Sequence, residues 1–497
     1  MYLLLNQNTT PTELGAINPN TTVLQWLRKN NLVGTKEGCA AGDCGACTAV
    51  VGELITRNNK QAIQYKSINT CIALASSMIG KHLVTVEGLV EGENLHPVQQ
   101  AMVTENGSQC GFCTPGVVMS LFAMYHSEDK LNITKINEGL SGNLCRCTGY
   151  KPIIAAAFSS INEKAKNPDD YYTKNQTKIK QTLARLNTAQ NISLSYNNNG
   201  NTIHYDAPTS LKDLAKVLGN NPQATILAGG TDLNLEITQS TRQFSHIINI
   251  SQVQELNAIK DEKSKIEIGS AVTYQDASSS LIKYWPELEG FLHRFASLPI
   301  KNWATIGGNI ANASPIGDMP PVLIALEAKL KLRKKSSIRS VKLEDFFIGY
   351  KKTALKEGEF IESITIPKPA SMERLIAHKI SKRYEDDISA VCMAMNVSLQ
   401  DSKPKSVRIA FGGMSGIPQR AKKLEQVLLD YWDKEELVQK AYSALKEEFS
   451  PLSDVRASAE YRLQVSANLV KKSVLGIKGE AVANLAETSN ESFYMKV

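Results

Sequence analysis

Hydrophobic and polar positions fall in several rhythms along this chain, and each rhythm predicts an element. In "TSLKDLAKVLG" (209–219), Leu211, Leu214 and Leu218 recur at helical spacing, with Thr209 or Ser210 placed to cap the helix. "PGVVMSLFAMYHS" (115–127) is apolar almost throughout, with Pro115 at a first helical position. "ATILAGGTDL" (224–233) reads as a buried strand running into a glycine-rich turn, and "HIINI" and "IEIGSAV" read as further strands. Beyond residue 376, "ISAVCMAMNVSL" and "PKSVRIAFGGM" form a strand pair, followed by helical stretches. The class predicted is multi-domain α+β. No internal repeat is evident.

Between these segments, residues 161–199 are rich in Asn, Lys, Gln and Thr and poor in large apolar residues. They read as a linker with a short helix around 176–187. At 497 residues the chain has room for about three or four domains. Its 42% hydrophobic and 21% charged residues are an ordinary globular composition. The net charge of +7 is dispersed, and the densest basic run, "KLRKKSSIRSVK", lacks interleaved aromatics. It reads as a solvated face, so no nucleic-acid partner is expected. No window reaches the roughly 20 apolar residues of a membrane span, and "MYLLLNQNTT", with no basic start and no long apolar stretch, does not read as a signal peptide. A cytoplasmic location is therefore expected, where clustered thiols read as metal ligands rather than disulfides.

Eight of the nine cysteines lie between 39 and 147. Cys39, Cys44 and Cys47 in "CAAGDCGAC" have C-x4-C-x2-C spacing, with Cys71 following, which is the plant-type [2Fe–2S] arrangement. Structural zinc sites favour paired C-x2-C steps instead. A second group joins Cys110 and Cys113 (C-x2-C) to Cys145 and Cys147 (C-x-C). Residues i and i+2 do not share a helix face, so the last pair must sit on a turn or extended segment to share a centre. Spacing alone leaves iron–sulfur and zinc both open for this second group.

"CAAGDCGAC", "GSQCGFCTPG" and "GNLCRCTGYKPI" together resemble the iron–sulfur portion of the molybdenum hydroxylases, the group of xanthine dehydrogenases and aldehyde oxidases. The resemblance continues through "ILAGGTDL", "IKNWATIGGNIANASPIGDMPPVLIALEAKL", "FFIGYKKTALKEGEFIESITIP" and "KRYEDDISAV", which look like the family's FAD domain. "GGMSGIPQRA" and "SAEYRLQVSANL" look like its flavoprotein C-terminal domain, so about 2–475 is covered. The resemblance implies a β-grasp ferredoxin-like domain (1–80), a helical-bundle [2Fe–2S] domain (81–160), the linker (161–199), an α+β FAD-binding domain (200–372), an α+β flavoprotein C-terminal domain (373–480) and a tail (481–497). No molybdenum domain follows before Val497. The likeness is thus to the small subunit of bacterial xanthine dehydrogenases, whose molybdenum-cofactor-binding large subunit is a separate chain, paired as α2β2. It implies two [2Fe–2S] clusters, FAD and NAD as acceptor, with oxygen as the rival acceptor. The substrate-level alternative is an aldehyde or N-heterocycle oxidoreductase. A zinc-stabilised interaction module with a degenerate flavin fold is the alternative of another class.

For the flavin, Gly229 and Gly230 after a strand leave backbone N–H groups for a pyrophosphate, although a plain tight turn needs the same residues. Carried over by resemblance, Ile226, Leu227, Ala228, Gly229, Gly230, Thr231, Asp232 and Leu233 line the phosphates. Thr305, Gly308, Asn309, Asp318, Ile361 and Lys379 match further FAD contacts, and Phe295 matches a ring-stacking position or else is core. Asp386 matches an acidic loop that tunes the flavin, or is a solvated charge; Tyr384 stands where animal members commonly carry arginine. Tyr350 matches the nicotinamide path, and Gln109 and Cys147 match positions facing the partner's pterin. No catalytic acid–base residue for substrate chemistry is expected on this chain. The seven histidines show no ligand pattern and read as surface or satisfied core positions.

Overall fold

The computed structural model describes residues 1–57, 60–166, 168–187, 190–198, 200–480 and 482. The 481–497 tail otherwise lies outside the described residues. The chain forms two compact units: Met1–Thr209, Ala224–Gln252 and Ser297–Ala304 make the first, and Ser210–Gln223, Val253–Ala296 and the chain from Thr305 make the second. Both mix helix and sheet. The stretch 200–372 is shared between the two units, because its strands Asn201–Ala207, Thr225–Leu227 and His246–Asn249 bury Tyr205, Leu227 and Ile247 with Leu74.

The first unit begins with a five-stranded sheet, ordered Thr12–Glu13, Tyr2–Leu5, His82–Val84, Thr48–Arg57, Lys60–Asn69. Tyr2–Leu5 runs parallel to His82–Val84 and the other neighbours are antiparallel, a β-grasp arrangement. The two-residue period of Thr48–Arg57 sorts its side chains. Ala49 and Val51 enter the core under the helix Val23–Lys29, while Val50 faces the core of the following helices. Thr22 and Gln25 close a capping box on Val23–Lys29. Burial on both faces explains why this strand is apolar rather than alternating.

The helices Pro97–Thr104, Thr114–Ser127, Ile133–Leu140 and Lys151–Lys166 then form a bundle around Phe122, Met119 and Tyr125. Thr114–Ser127 is buried over most of its circumference, as its composition predicts, with proline in its first turn. Within 161–199, linker-like by composition, the short helix read at 176–187 is present as Gln176–Leu186. Helices Tyr171–Lys174 and Gln176–Leu186 contribute Tyr172, Ile179 and Leu183 to the same core. Three well-placed apolar side chains suffice to dock a short polar helix, which average composition does not reveal. A four-stranded sheet, ordered Ile192–Asn198, Asn201–Ala207, His246–Asn249, Thr225–Leu227, completes the unit.

The second unit holds an antiparallel sheet ordered Ile259–Asp261, Lys265–Gly269, Phe360–Pro367, Lys329–Lys334, Ser337–Lys342. The basic run forms the hairpin at its edge, and three of its cations are held in close ion pairs: Lys331 and Arg333 with Glu362, Arg339 with Glu359. A second sheet, Glu373–Ile380, Val391–Gln400, Lys403–Gly412 and Gln419–Arg420, packs with the helices Lys422–Tyr431, Leu437–Glu448 and Ala459–Ile477 around Met393, Phe411 and Leu445. The helix Leu211–Asn220 is capped by Ser210 and buries Leu214 and Leu218. Among the described residues no helix is long and apolar enough to cross a membrane.

Candidate functional site

Four thiols come together where the Cys39–Cys47 loop meets the end of the strand Lys60–Asn69. Cys47 Sγ lies 3.2 Å from Cys71 Sγ, and Cys39 is within hydrogen-bonding reach of both Cys44 and Cys71. The amides of Ala41, Asp43 and Cys44 donate to Cys39 Sγ at 3.3, 3.3 and 3.4 Å. Hydrogen bonds from Cys44 and Cys71, and then these amides, hold the Cys39 thiol far below its usual range. The same contact with Cys39 pushes Cys44 and Cys71 up. Asn69, buried at the strand's end, directs its amide at Cys47 Sγ. Four convergent sulfurs ringed by N–H donors suit a sulfur-rich, negatively charged inorganic centre.

The second group also converges. Cys110 reaches Cys147, and Cys113 reaches Cys145. Cys113 precedes the helix Thr114–Ser127, and Cys145 and Cys147 sit on an irregular turn, as their spacing requires. Cys145 is buried, whereas Cys110, Cys147 and the neighbouring Gln109 are exposed. One side of this quartet therefore faces outward.

The two quartets are joined through backbone. Leu144 N–H donates to the Cys44 carbonyl at 3.0 Å, and Asn143 Nδ2 to the Gly45 carbonyl at 3.2 Å. A Cβ on Gly45 would lie 1.9 Å from the Gly142 oxygen, and one on Gly116 would lie 2.1 Å from the Gly45 oxygen. Gly45 also holds φ +68°, so both conformation and space demand glycine there.

The flavin-type residues divide between the units. Ile226 to Leu233 lie in the first, running from the strand Thr225–Leu227 into the turn. A Cβ on Gly229 would lie 1.7 Å from the Trp303 carbonyl oxygen, and Gly230 has φ +71°. Both glycines are thus required by the turn itself, whatever it binds. In the second unit, Thr305 caps the short helix Ile306–Ala311 by accepting Gly308 N–H at 2.9 Å. Tyr274, which the sequence reading did not single out, ties the group together. Its hydroxyl donates to Asn309 Oδ1 at 3.0 Å and its ring meets Phe295 at 4.4 Å between centroids. Burial, then the Asp318 carboxylate, push Tyr274 far above the usual phenol range. Phe295 is only partly buried, packed on one side by Tyr274. Ile361 is buried in the strand Phe360–Pro367, opposite Leu332.

Lys379 donates to Asp318 Oδ2 at 2.6 Å, the Asp387 carbonyl at 2.6 Å and Ser389 Oγ at 2.9 Å. An ammonium has three N–H bonds, so none is left for a ligand. Arg294 donates to the carbonyls of Tyr384 and Lys379 at 2.9 and 3.0 Å and lies 5.0 Å over the Tyr384 ring. The Asp386 loop is therefore held by Arg294 on one side and Lys379 on another, and Asp386 itself takes φ +50°. Tyr350 is 66% exposed, in the turn between Phe347–Gly349 and Lys352–Thr353.

The histidines are less scattered than the sequence suggests. His96 and His126 both meet Asp170 Oδ2, at 2.8 and 2.7 Å, a trio spaced as metal ligands can be. His96 Nδ1 accepts Val98 N–H at 3.2 Å, so its Nε2 carries the proton and faces the carboxylate. A metal on Nε2 would require that proton's loss, and the trio fits a hydrogen-bonded core instead.

Family models match nearly the whole chain: a 2Fe-2S iron-sulfur cluster binding domain at 5–76, a [2Fe-2S] binding domain at 85–158, an FAD binding domain in molybdopterin dehydrogenase at 201–369, and a CO dehydrogenase flavoprotein C-terminal domain at 376–477. Two iron–sulfur domains followed by a FAD domain define an iron–sulfur flavoprotein oxidoreductase. The four domains in this order, with xanthine dehydrogenase relatives, fit the small subunit of the molybdenum hydroxylase family. The chain is 32% identical over 480 residues to xanthine dehydrogenase of Emericella nidulans, covering 85% of this chain and 34% of that protein. It is 31% identical to xanthine dehydrogenase/oxidase of Rattus norvegicus, covering 88% of this chain and 36% of that one. The chain thus spans about a third of the length of these relatives. Among solved structures, a carbon monoxide dehydrogenase chain from Hydrogenophaga pseudoflava matches at 29% identity with a TM-score of 0.51, covering 54% of this chain and 94% of that one. Quinoline 2-oxidoreductase from Pseudomonas putida 86 matches at 27% and 0.51, covering 55% and 96%.

Proposed function

We propose that this chain is the electron-transfer subunit of a cytoplasmic xanthine dehydrogenase. Substrate oxidation, from hypoxanthine through xanthine to urate, belongs to a molybdenum-cofactor-binding partner chain in an α2β2 assembly, with NAD as final acceptor. When bound, two [2Fe–2S] clusters supply single-electron transfer and FAD supplies the exchange between single electrons and a hydride. Cys110, Cys113, Cys145 and Cys147 hold the outer centre, with exposed Gln109 and Cys147 turned to the partner. Cys39, Cys44, Cys47 and Cys71 hold the inner one. In the first unit Ile226 to Leu233, and in the second Thr305, Gly308, Asn309 and Ile361, are the residues we assign to FAD, with Phe295, backed by Tyr274, as the side chain that would meet its ring. Asp318 and Lys379, engaged with each other, brace the second-unit residues, Asp318 lying near Tyr274, and set the loop of Asp386.

The observation that carries this reading is the hydrogen bond from Leu144 N–H to the Cys44 carbonyl. A single hydrogen bond and one peptide link separate a ligand of one quartet from a ligand of the other, so electrons have a bonded path between them. The relatives named as xanthine dehydrogenases support the substrate assignment. A second reading, an oxidoreductase for N-heterocycles or aldehydes, is favoured by the likeness to quinoline 2-oxidoreductase. Purification with the molybdenum-binding chain, followed by assays on hypoxanthine, quinoline and aldehydes with NAD or oxygen, decides between them. Absence of purine turnover sinks the xanthine reading. A colourless, zinc-loaded protein, in place of one with about four irons per chain, sinks the electron-transfer reading altogether.

A further inference from the structure

The turn after Cys145 is built as a hydrogen-bonded shell around that residue. Thr148 Oγ1 lies 3.1 Å from Cys145 Sγ. Tyr150 N–H donates to the same Thr148 oxygen at 3.2 Å, and Tyr150 OH in turn accepts Cys145 N–H at 2.9 Å. The loop closes on itself: Tyr150 amide to Thr148 hydroxyl, Thr148 to the Cys145 sulfur, Cys145 amide back to the Tyr150 ring oxygen. Closure requires two successive left-handed residues, Gly149 at φ +69° and Tyr150 at φ +68°. Tyrosine rarely adopts that conformation, and here it brings the phenol back over Cys145.

Direction matters. A cysteine that ligates a metal is a thiolate and has no proton to give, so Thr148 must be the donor. The Tyr150 amide occupies an oxygen lone pair, which leaves the hydroxyl hydrogen for sulfur. Cys110, by contrast, meets a backbone amide, that of Phe112, and Cys110 and Cys147 are exposed.

We propose that Thr148, oriented by Tyr150, donates a hydrogen bond to the Cys145 thiolate and raises the reduction potential of the centre held by Cys110, Cys113, Cys145 and Cys147. This rests on the reading of that quartet as an iron–sulfur site. The reduced centre carries one more negative charge, so a donor to its ligand sulfur stabilises it more than the oxidised form. A higher potential at the outer centre favours its taking electrons from the partner. Thr148 and Tyr150 are positioning and tuning residues, and neither touches substrate.

The test is a redox titration of the full-chain holoprotein, followed by the electron paramagnetic resonance of each reduced cluster. In Thr148→Val the ratio of reduced to oxidised outer cluster at a fixed potential should fall about tenfold, ~59 mV for one electron. Thr148→Ser should keep the wild-type potential, and the inner cluster should not move in either variant. Should Thr148→Val not take up iron, Thr148→Ala against Thr148→Ser isolates the hydroxyl, since both lose the methyl. An unchanged outer potential in the hydroxyl-free variant, with four irons bound, overturns the proposal. Equal shifts in both clusters would also overturn it. If wild-type protein shows only one [2Fe–2S] signal, the ligand reading itself has failed and this inference falls with it.

Discussion

Replacing Asp170 with alanine should open the helical part of the first unit. The carboxylate is almost fully buried, with its side chain 2% exposed, and accepts from His96 Nε2, His126 Nε2 and the Thr173 amide. Burial opposes its ionisation, but the His126 and His96 hydrogen bonds prevail and hold its pKa well below the usual carboxylate range. Removal orphans the N–H of buried His96 and that of partly buried His126, at up to about 1–3 kcal/mol each, and an N-cap worth ~1 kcal/mol. Breaking a buried charged pair costs about 3–5 kcal/mol by comparison. We therefore expect ~3–5 kcal/mol less protection for amides in Pro97–Thr104, Thr114–Ser127 and Tyr171–Lys174. Hydrogen exchange on the full chain measures this element by element, avoiding the assumption that a two-unit protein unfolds in one step. A loss below ~1 kcal/mol, or one confined to Tyr171–Lys174, would show that His96 and His126 are satisfied without Asp170.

Three further outcomes are expected. Cys147→Ser in the assembled complex should cripple flavin reduction by substrate in stopped-flow absorbance while leaving reduction by NADH largely intact; unimpaired reduction by substrate would remove the outer quartet from the route. Burial pushes His82 down to about 4, so folding selects its neutral ring. With an unfolded value near 6.5, its contribution is complete above that pH and declines as pH falls toward 4, about 2 kcal/mol between pH 7 and 5. Exchange at His82–Val84, corrected for intrinsic rates, should show this decline in the wild type and not in His82→Gln. Lys379→Met should leave the Asp318 carboxylate buried without its cation, costing ~3–5 kcal/mol locally and lowering flavin content as read by absorbance. Normal flavin loading would deny the pair its bracing role.

Much of the local structure was legible because its causes are local. Ser210 caps its helix and Leu214 and Leu218 line its buried face, as the 3.6-residue rhythm requires. Pro115 opens the next apolar helix where its missing N–H costs nothing. Within 161–199 the helix at 176–187 was legible, but its docking was not, because a few apolar residues at the right turns, Tyr172, Ile179 and Leu183, are diluted in a polar average. Tyr274 was also missed: nothing near it in the chain signals that it bridges Asn309 and Phe295.

The cysteine spacings by themselves determined that this protein has two thiol quartets, since loop length and glycine placement decide whether nearby sulfurs can share a centre. They also placed Cys145 and Cys147 on a turn rather than a helix. Only the tertiary structure decided that the two quartets touch, through Leu144 and Cys44, and that His96, His126 and Asp170 share one oxygen. Asn143 and Gly45 stand 98 positions apart and His96 and Asp170 74. Contacts at such separations depend on the path of the packed chain, with its shared sheet and docked helices, and no local rhythm of residues encodes that path.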